Sequence, residues 1–286
     1  MPLVSVIIPT FNRTALLPRA LTSVATQTLR DFDVWVINDG GEEPTLPPSA
    51  RIISKPNGGP GSARNAGIAA SDSRYVAYLD DDDEWRPDHL ESLVGLLNDG
   101  HEMVYATADV VVSGSHVRFW GDCRFDKFVA EGFYTIFPPS TCLHKRDLLG
   151  RCGDFDESPL LVGPEDCEFL VRASDFAVPV PSRRRTVVMH RDDSMTRGPR
   201  PKWVDTLDYV IEKNGYGVTR RNWLMFYRAY LAAVREERPD KVSAWGEEVD
   251  RSLPAGSTRV GTVIVGDVRL GPEDIKQFCR RALEVA

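Results

Sequence analysis

The sequence lacks three features that mark common classes of protein. It has no apolar run near the roughly 20 residues that cross a bilayer. Its five cysteines are scattered and form no Cys-x-x-Cys pair, which argues against a disulfide framework and a zinc site. Positive charge is not in excess, because 35 Lys and Arg stand against 42 Asp and Glu, a net charge of −7. We therefore expect no transmembrane segment and no nucleic-acid partner.

The start of the sequence does not have the pattern of a secretory leader, so we expect none. The strand-like run Leu3–Pro9 begins at once, without a basic region or a cleavage site before it. Together with the unpaired cysteines, this predicts a cytoplasmic protein, with peripheral attachment to a membrane left open. A length of 286 residues suits a domain of about 200 residues with a smaller appendage.

Strand and helix patterns alternate from residue 3 to about residue 112. Short apolar runs, typical of strands buried on both faces, end in polar turns and are followed by amphipathic segments. The predicted strands are Leu3–Pro9, Asp33–Asn38, Arg51–Ser54, Tyr75–Leu79 and Met103–Val112. This alternation predicts an α/β fold with a doubly wound, mostly parallel sheet.

Four consecutive aspartates, Asp80–Asp83, end the strand pattern Tyr75–Leu79. Open α/β sheets bind their ligands at the carboxyl ends of strands. Four adjacent negative charges repel one another unless a cation or solvent relieves them, and hard oxygen ligands suit Mg²⁺ or Mn²⁺. The alternative is a solvated acidic loop in which Asp83 or Glu84 favours the N-terminus of a helix opening at Pro87. The run by itself leaves both interpretations open.

A glycine-rich segment, Asn57–Gly61, precedes a predicted helix at Ala63–Ala70. It lacks the Gly-Lys-Ser/Thr ending of a Walker motif, and it does not follow the first strand as a dinucleotide fingerprint does. In isolation it predicts a flexible turn. Arg64, just after it, is placed to reach a phosphate or a base edge.

Four motifs together resemble the family-2 glycosyltransferases of the GT-A fold, in that family's order and spacing. They are Val4–Arg13, Val36–Gly40, Ala63–Gly67 and Tyr78–Asp83. The resemblance implies a GT-A domain over residues 1–200, with a nucleotide-sugar half at about 1–112 and an acceptor half at about 113–200. Residues 201–286 lie outside it, and their pattern predicts a mainly helical extension.

The resemblance implies a nucleotide-sugar donor, with UDP and dTDP both open, and an unidentified hydroxyl acceptor. Asp39 matches an aspartate that contacts the base, and Arg64 matches an arginine that helps to enclose the nucleotide. Asn38 and Gly41 depart from the family, which often has aspartate and usually has serine there. The residues implied to border the nucleotide pocket are Pro9, Thr10, Phe11 and Arg13.

The same resemblance divides the acidic run by role. It places Asp82 on a divalent metal, Mn²⁺ or Mg²⁺, and Asp80 or Asp81 near the ribose, with Asp83 orienting its neighbours. The metal's task is to bridge the diphosphate and to offset charge on the leaving nucleotide. His190 matches a histidine that faces the diphosphate or the metal, although a structural histidine is the alternative. Arg191 or Arg197 is a candidate for offsetting phosphate charge.

The stretch Gly163-Pro164-Glu165-Asp166 has two interpretations. It fits a helix start, with proline first and acids in the first turn, and Gly271–Asp274 repeats it near the C-terminus. Only the first copy follows a segment, Gly153–Glu157, that resembles the family's approach to its catalytic carboxylate. The resemblance implies that Asp166 is the general base for the acceptor hydroxyl, supported by Glu165 and by Arg172.

The sequence therefore predicts a metal-assisted inverting glycosyltransferase, with inversion implied by the resemblance alone. One alternative is a haloacid-dehalogenase-like phosphatase, in which Asp80 is the nucleophile and Asp82 the acid/base. Another is a nucleotide-sugar-binding protein that has lost its chemistry. The aromatic-rich C-terminal helices suit core packing, a homodimer interface or a membrane surface.

Overall fold

A computed structural model describes residues 1–112, 115–120, 138–191, 209, 212–213, 263–265 and 268–270. The chain divides into two compact units, one of residues 1–129 and 136–200 and the other of residues 130–135 and 201–286. In the second unit, β10 (Val263–Val265) pairs antiparallel with β11 (Val268–Leu270). Most of the predicted C-terminal helices lie outside the described residues.

The first unit is built on one mixed sheet. Its strands are β1 (Val4–Thr10), β2 (Phe32–Asn38), β3 (Ala50–Ser54), β4 (Tyr75–Tyr78), β5 (Asp83–Trp85), β6 (Met103–Val112), β7 (Ser115–Trp120), β8 (Cys142–Lys145) and β9 (Pro179–Arg191). Their order in the sheet is β3-β2-β1-β4-β8-β6-β9-β5, and β7 pairs with β6. Pairing is parallel from β3 through β4 and again between β6 and β9, whereas β8, β5 and β7 are antiparallel to their neighbours.

Helices cover both faces of this sheet. They are α1 (Leu17–Ala25), α2 (Gly59–Ala70), α3 (His89–Asn98), α4 (Asp147–Cys152) and α5 (Glu165–Ser174). Two short 3₁₀ turns, Pro139–Thr141 and Pro159–Leu161, precede β8 and α5. The predicted α/β class with a doubly wound sheet is confirmed. No helix of the described residues is long and apolar enough to span a bilayer.

The core is split into two clusters by the sheet. In β1, Val4, Val6 and Ile8 belong to one cluster and Ile7 to the other, as expected when successive side chains alternate between faces. α1 and α3 pack on the first cluster, and α2, α4 and α5 pack on the second. Burial on both faces explains why β1 is a nearly continuous apolar run.

Two helix starts differ from the sequence prediction. α2 begins at Gly59, so the glycine-rich segment is the start of a helix, where a flexible turn was predicted. α3 begins at His89, beyond the predicted opening at Pro87, because the Pro87 carbonyl accepts from the Thr28 N–H at 2.8 Å. Both differences arise from contacts with distant parts of the chain.

The pairing of β1 with β2 and β4 brings three strand ends together. Thr10 lies opposite Asn38, and Ile7 lies opposite Tyr78. The backbone N–H of Asp39 donates to the carbonyl of Thr10 at 2.9 Å, which holds the two turns side by side. Polar turns that are distant in sequence therefore meet at one edge, where sheets of this kind bind ligands.

Candidate active site at the carboxyl edge of the sheet

Asp39 follows β2 and holds the first turn of α2. Its Oδ1 accepts from Lys55 Nζ at 2.7 Å and from the Gly58 N–H at 3.0 Å, and its Oδ2 accepts from the Gly59 N–H at 2.7 Å. A carboxylate at a helix N-terminus satisfies free N–H groups and interacts favourably with the helix dipole. The aspartate that the sequence predicts as a base contact is thus buried and fixed in place.

The departure from the family at Gly41 has a structural reason. Gly41 has a φ of 83°, which favours glycine, and a Cβ at this position would lie 1.9 Å from Oδ1 of Asn12. Asn12 itself has a φ of 53°. The amide of Asn12 therefore occupies the space that a serine side chain at position 41 would need.

Asp81 is held apart from the other acids of the run by two partners near β1. Thr10 Oγ1 donates to its Oδ2 at 2.7 Å, and Arg13 donates to its Oδ1 at 3.0 Å. Burial raises the pKa of Asp81 to about 6, although Arg13 and the Thr10 hydroxyl oppose the shift. These contacts join the turn after β1 to the acidic run.

Asp80, Asp82 and Asp83 form the acidic cluster, in which one carboxylate oxygen of each lies within 4.8 Å of the others. Within the part of the chain that the structure describes, no other group of three or more such side chains has this geometry. The neighbours differ: Arg64 lies 2.8 Å from Asp80, Arg13 lies 3.2 Å from Asp82, and Ser140 Oγ donates to Asp83 at 2.6 Å. Three carboxylates of this kind fit Mg²⁺ or Mn²⁺.

Arg64 lies between the acidic cluster and the start of α5. One terminal nitrogen bonds Asp80 at 2.8 Å and the other bonds Glu165 at 2.8 Å, while the Phe155 ring centroid lies 5.3 Å from the guanidinium carbon. Burial alone would lower the pKa of Arg64, but Asp80 and Glu165 together raise it, so the guanidinium stays charged. Arg64 thus connects two of the predicted motifs directly.

Glu165 and Asp166 are the first two residues of α5. Glu165 is buried, and its second oxygen accepts from the Gly163 N–H at 2.8 Å. Burial raises the pKa of Glu165, and Arg64 opposes this shift. Asp166 is half-buried, and its charge raises the pKa of both Arg64 and Glu165. The predicted general base therefore lies within electrostatic reach of the Arg64 bridge.

Other predicted residues occupy varied positions. His190 Nε2 lies 2.5 Å from Oε1 of Glu84, the residue next to the acidic cluster, so its role as a metal ligand stays a prediction. Arg172 pairs with Glu168 at 2.8 Å and also donates to the backbone carbonyls of residues 152–154. Phe11 is 46% exposed, Pro9 is buried in β1, and Arg197 lies outside the described residues.

Two residues of this edge, Lys55 and Ser140, are not predicted from the sequence. Lys55 directly follows β3, and a lysine beside the end of the next parallel strand could have been found from strand order alone. Ser140 bonds the carboxylate of Asp83 and also accepts from the backbone N–H of Asp80 at 3.1 Å. It lies 57 residues from Asp83, in a 3₁₀ turn, and no local pattern marks it.

The mixed sheet, with its polar turns at one edge, fits the GT-A fold that the sequence predicts. The chain belongs to the family described as "Glycosyl transferase family 2", whose profile matches residues 5–155, more than half of the chain. It is therefore a transferase enzyme. Membership in this family argues against the alternative of a phosphatase that uses Asp80 and Asp82.

Among curated relatives, the succinoglycan biosynthesis protein ExoW of Rhizobium meliloti (strain 1021) is 44% identical over 176 residues, 57% of this chain and 48% of that protein. Chondroitin synthase of Pasteurella multocida (strain Pm70) is 39% identical over 100 residues, 32% of this chain and 10% of the synthase. The chain thus spans about half of the first relative and a small part of the second.

A solved structure of S. aureus TarS 1-349 in complex with UDP-GlcNAc is similar in fold. It superposes with a TM-score of 0.58 at 16% sequence identity, covering 90% of this chain and 76% of that chain. At this identity the similarity establishes the fold, and it confirms the GT-A architecture.

Proposed function

We propose that this enzyme transfers a sugar from a UDP- or dTDP-sugar to an acceptor hydroxyl in one inverting, metal-assisted step. The observation that carries the proposal is the Arg64 bridge, which joins Asp80 of the acidic cluster to Glu165, next to Asp166. Asp80 on the donor side and Glu165 on the acceptor side thereby lie on either side of the buried Arg64 guanidinium. The TarS structure in complex with UDP-GlcNAc supports the choice of a uridine nucleotide among the donors.

Asp39 is the proposed base contact. Uracil and thymine both present an N3–H donor, and a carboxylate oxygen is a suitable acceptor for it. The bonds from Lys55 and from the backbone of Gly58 and Gly59 fix the Asp39 carboxylate before the nucleotide arrives. Thr10 and Arg13, which anchor Asp81, border the same pocket in this proposal.

The acidic cluster is the proposed metal site, with Asp82 as the principal ligand and Asp80 and Asp83 beside it. Mn²⁺ or Mg²⁺ bound there supplies positive charge that offsets the charge developing on the leaving diphosphate. Asp81 is bonded by Thr10 and Arg13, and we place it on the ribose side of the pocket. His190 is a further candidate ligand through its position beside Glu84.

Asp166 is the proposed general base. It accepts the proton of the acceptor hydroxyl as that oxygen bonds to the anomeric carbon, and the bond from this carbon to the diphosphate oxygen breaks on the opposite side. One displacement of this kind inverts the anomeric centre. The half-buried position of Asp166 at the start of α5 leaves part of its surface open to an acceptor.

A thermal-shift screen tests the donor side. UDP, dTDP, GDP, CDP and ADP are each added with Mn²⁺ or with EDTA, since a ligand that binds the folded state raises the melting temperature. We expect UDP or dTDP to stabilise the enzyme in Mn²⁺, and uridine, which has no diphosphate, to be insensitive to the metal. A response to none of the nucleotides would refute the proposed donor class.

The acceptor side is tested by Asp166→Asn. Water can replace the acceptor, so slow release of UDP or dTDP from the donor is measured without knowledge of the natural acceptor. We expect the variant to lose at least about 100-fold in turnover, in the range for a general base, while retaining the Mn²⁺-dependent thermal shift. Full turnover in the variant would assign the base to another residue.

A further inference from the structure

The buried Arg64–Glu165 ion pair connects two parts of the site that are 101 residues apart in sequence. The Arg64 side chain is 3% exposed and that of Glu165 is 6% exposed, so both groups are removed from solvent. Arg64 uses separate terminal nitrogens for Glu165 and Asp80, each at 2.8 Å. A planar guanidinium can hold two carboxylates in fixed directions in this way, which an ammonium cannot do as well.

The helix that carries Arg64 is fastened to the segment that leads into α5. Asn65 donates to the Phe155 carbonyl at 2.8 Å and accepts from the Phe155 N–H at 2.9 Å. Ser62 and Asn65 also bond the two oxygens of Glu157, at 2.9 and 2.8 Å. A Cβ at Gly61 would lie 3.4 Å from Cγ of Glu165. α2 and this segment therefore pack as one body around the ion pair.

Glu165 in turn fixes the entrance to α5. While one oxygen accepts from Arg64, the other accepts from the Gly163 N–H, which closes the turn before the helix. Gly163 has a φ of 108°, a conformation that this bond helps to hold. Asp166 is the next residue along the helix, so its backbone position depends on the same turn.

We propose that Arg64 and Glu165 are positioning residues for Asp166. The pair holds the first turn of α5 at a fixed distance from the acidic cluster, so that the base and the donor keep their relative geometry during transfer. This inference rests on the proposed function of Asp166 and assigns to Glu165 no proton transfer and no contact with substrate. Misplacement of a catalytic group by about 1 Å can reduce the rate on the order of 100-fold.

Glu165→Gln is the primary test, because glutamine keeps the shape and removes the charge that binds Arg64. Steady-state release of UDP from UDP-GlcNAc or UDP-glucose, or of dTDP from dTDP-glucose, is measured for the sugar that stabilises the wild type most. We expect kcat to fall about 10- to 100-fold while the donor KM and the Mn²⁺-dependent thermal shift change less than about twofold. Arg64→Lys also disturbs the bond to Asp80, so alone it should lower kcat at least as much as Glu165→Gln. In the double variant the two losses should be less than additive, because both changes act on the Arg64–Glu165 pair.

Glu168→Gln is the matched control. Glu168 lies on the same helix, is fully buried and pairs with Arg172 at 2.8 Å, as Glu165 pairs with Arg64. We expect this variant to lower the melting temperature while kcat stays within about threefold of wild type. Comparison of the two variants separates a loss of positioning from a general loss of stability.

Hydrogen–deuterium exchange provides a test that needs no turnover. In Glu165→Gln the amides of Gly163, Glu165 and Asp166 should exchange at least about tenfold faster than in Glu168→Gln. Equal exchange in the two variants, or an unchanged kcat in Glu165→Gln, would overturn the positioning role. If the wild type shows neither a nucleotide-dependent shift nor donor turnover, the proposed function fails, and the exchange comparison still decides whether the pair holds this turn.

Discussion

The four consecutive aspartates have four different environments. Asp80 bonds Arg64, Asp81 bonds Thr10, and the Asp82 carboxylate lies near Arg13. Asp83 is fully buried and accepts from Ser140 at the start of β5. A run that looks uniform in sequence is thus divided by its neighbours. Asp80 pairs with Arg64, Asp81 is bonded to the end of β1, Asp82 is near Arg13 alone of these partners, and Asp83 begins a strand. Substitutions along the run should therefore have different effects.

Asp82→Ala and Asp83→Ala should separate binding from stability. We expect Asp82→Ala to remove the Mn²⁺-dependent shift by UDP or dTDP and to change the ligand-free melting temperature little. Asp83→Ala should lower the ligand-free melting temperature by about 3–8 °C, because it removes a buried hydrogen bond worth roughly 1–3 kcal/mol. Differential scanning fluorimetry with Mn²⁺ or EDTA measures both effects.

Asp83→Asn serves as the control for the second variant, because its amide oxygen can still accept from Ser140. A normal melting temperature with a weakened Mn²⁺ response would make Asp83 a ligand as well as a structural residue. Identical losses of the Mn²⁺ response in Asp82→Ala and Asp83→Asn would show that the assignment of Asp82 as principal ligand is wrong.

His89 should make the free energy of unfolding depend on pH. It is fully buried, stacks on Trp85 and has Nδ1 2.8 Å from Thr186 Oγ1, and burial lowers its pKa from 6.5 to about 3. Between these values the unfolded chain binds a proton that the folded chain excludes, so stability is complete above pH 6.5 and is lost as pH falls toward 3. The slope from this residue is about 1.4 kcal/mol per pH unit.

His89→Gln removes this titration. The free energy of unfolding should then fall less steeply as the pH decreases, by about 1.4 kcal/mol per pH unit. Urea denaturation at pH 7, 6, 5 and 4.5 measures the difference. His144 is retained in the variant and accounts for part of the remaining slope, because burial also lowers its pKa, to about 4. If the free energy of unfolding of His89→Gln fell with pH as steeply as that of the wild type, the prediction would be contradicted.

Among the elements, α2 contacts the site both at its first turn and at its middle. Its first turn is held by Asp39, its middle carries Arg64, and its far end packs closely on β1. Gly67 makes this last contact possible, since a Cβ there would lie 2.6 Å from Cγ2 of the buried Ile7. The position of the helix relative to the sheet is therefore set by a glycine with no functional group of its own.

Gly67→Ala should lower the free energy of unfolding by about 1–3 kcal/mol, because the added methyl group forces α2 away from Ile7. The matched control is Gly95→Ala in α3, where a Cβ would have no atom within 4 Å. This change should raise stability by about 0.5–1 kcal/mol, since alanine favours the helix over glycine. Urea denaturation compares the two, and a stable Gly67→Ala would show that α2 can move on the sheet at low cost.

For the molecule as a whole, the sequence predicts what depends on local pattern. β6 is predicted with its observed bounds, Met103–Val112, and β1 within one residue, because apolar runs and alternation identify them. β5 is missed because Asp83–Trp85 becomes a strand only by pairing with β9, about 100 residues later. The start of α2 is missed because Asp39, about 20 residues earlier, supplies its cap.

In the candidate site, too, the sequence predicts the residues that a local motif marks and not their long-range partners. The motif residues around Asp39, Asp80–Asp83 and Asp166 are identified by their resemblance to a family, and the sheet brings the first two to one edge. Their partners are decided by tertiary packing: Ser140 for Asp83, Lys55 for Asp39, and Arg64 between Asp80 and Glu165. A charge carried on one helix cannot be matched to a carboxylate on another without knowing how both pack on the sheet.

At the scale of the whole enzyme, the proposed single displacement predicts the stereochemistry of the reaction, because it inverts the anomeric carbon. Every described residue proposed for donor, metal and acceptor lies in the unit of residues 1–129 and 136–200. With an α-linked UDP- or dTDP-sugar and water as acceptor, the chain of 286 residues should release the β-anomer first. Proton NMR recorded before mutarotation distinguishes the anomers, and Asp166→Asn gives the background rate. An α-anomer released first would show retention, through two displacements or through attack on the face that the diphosphate leaves, and would remove Asp166 from its proposed role as the base of an inverting one-step transfer.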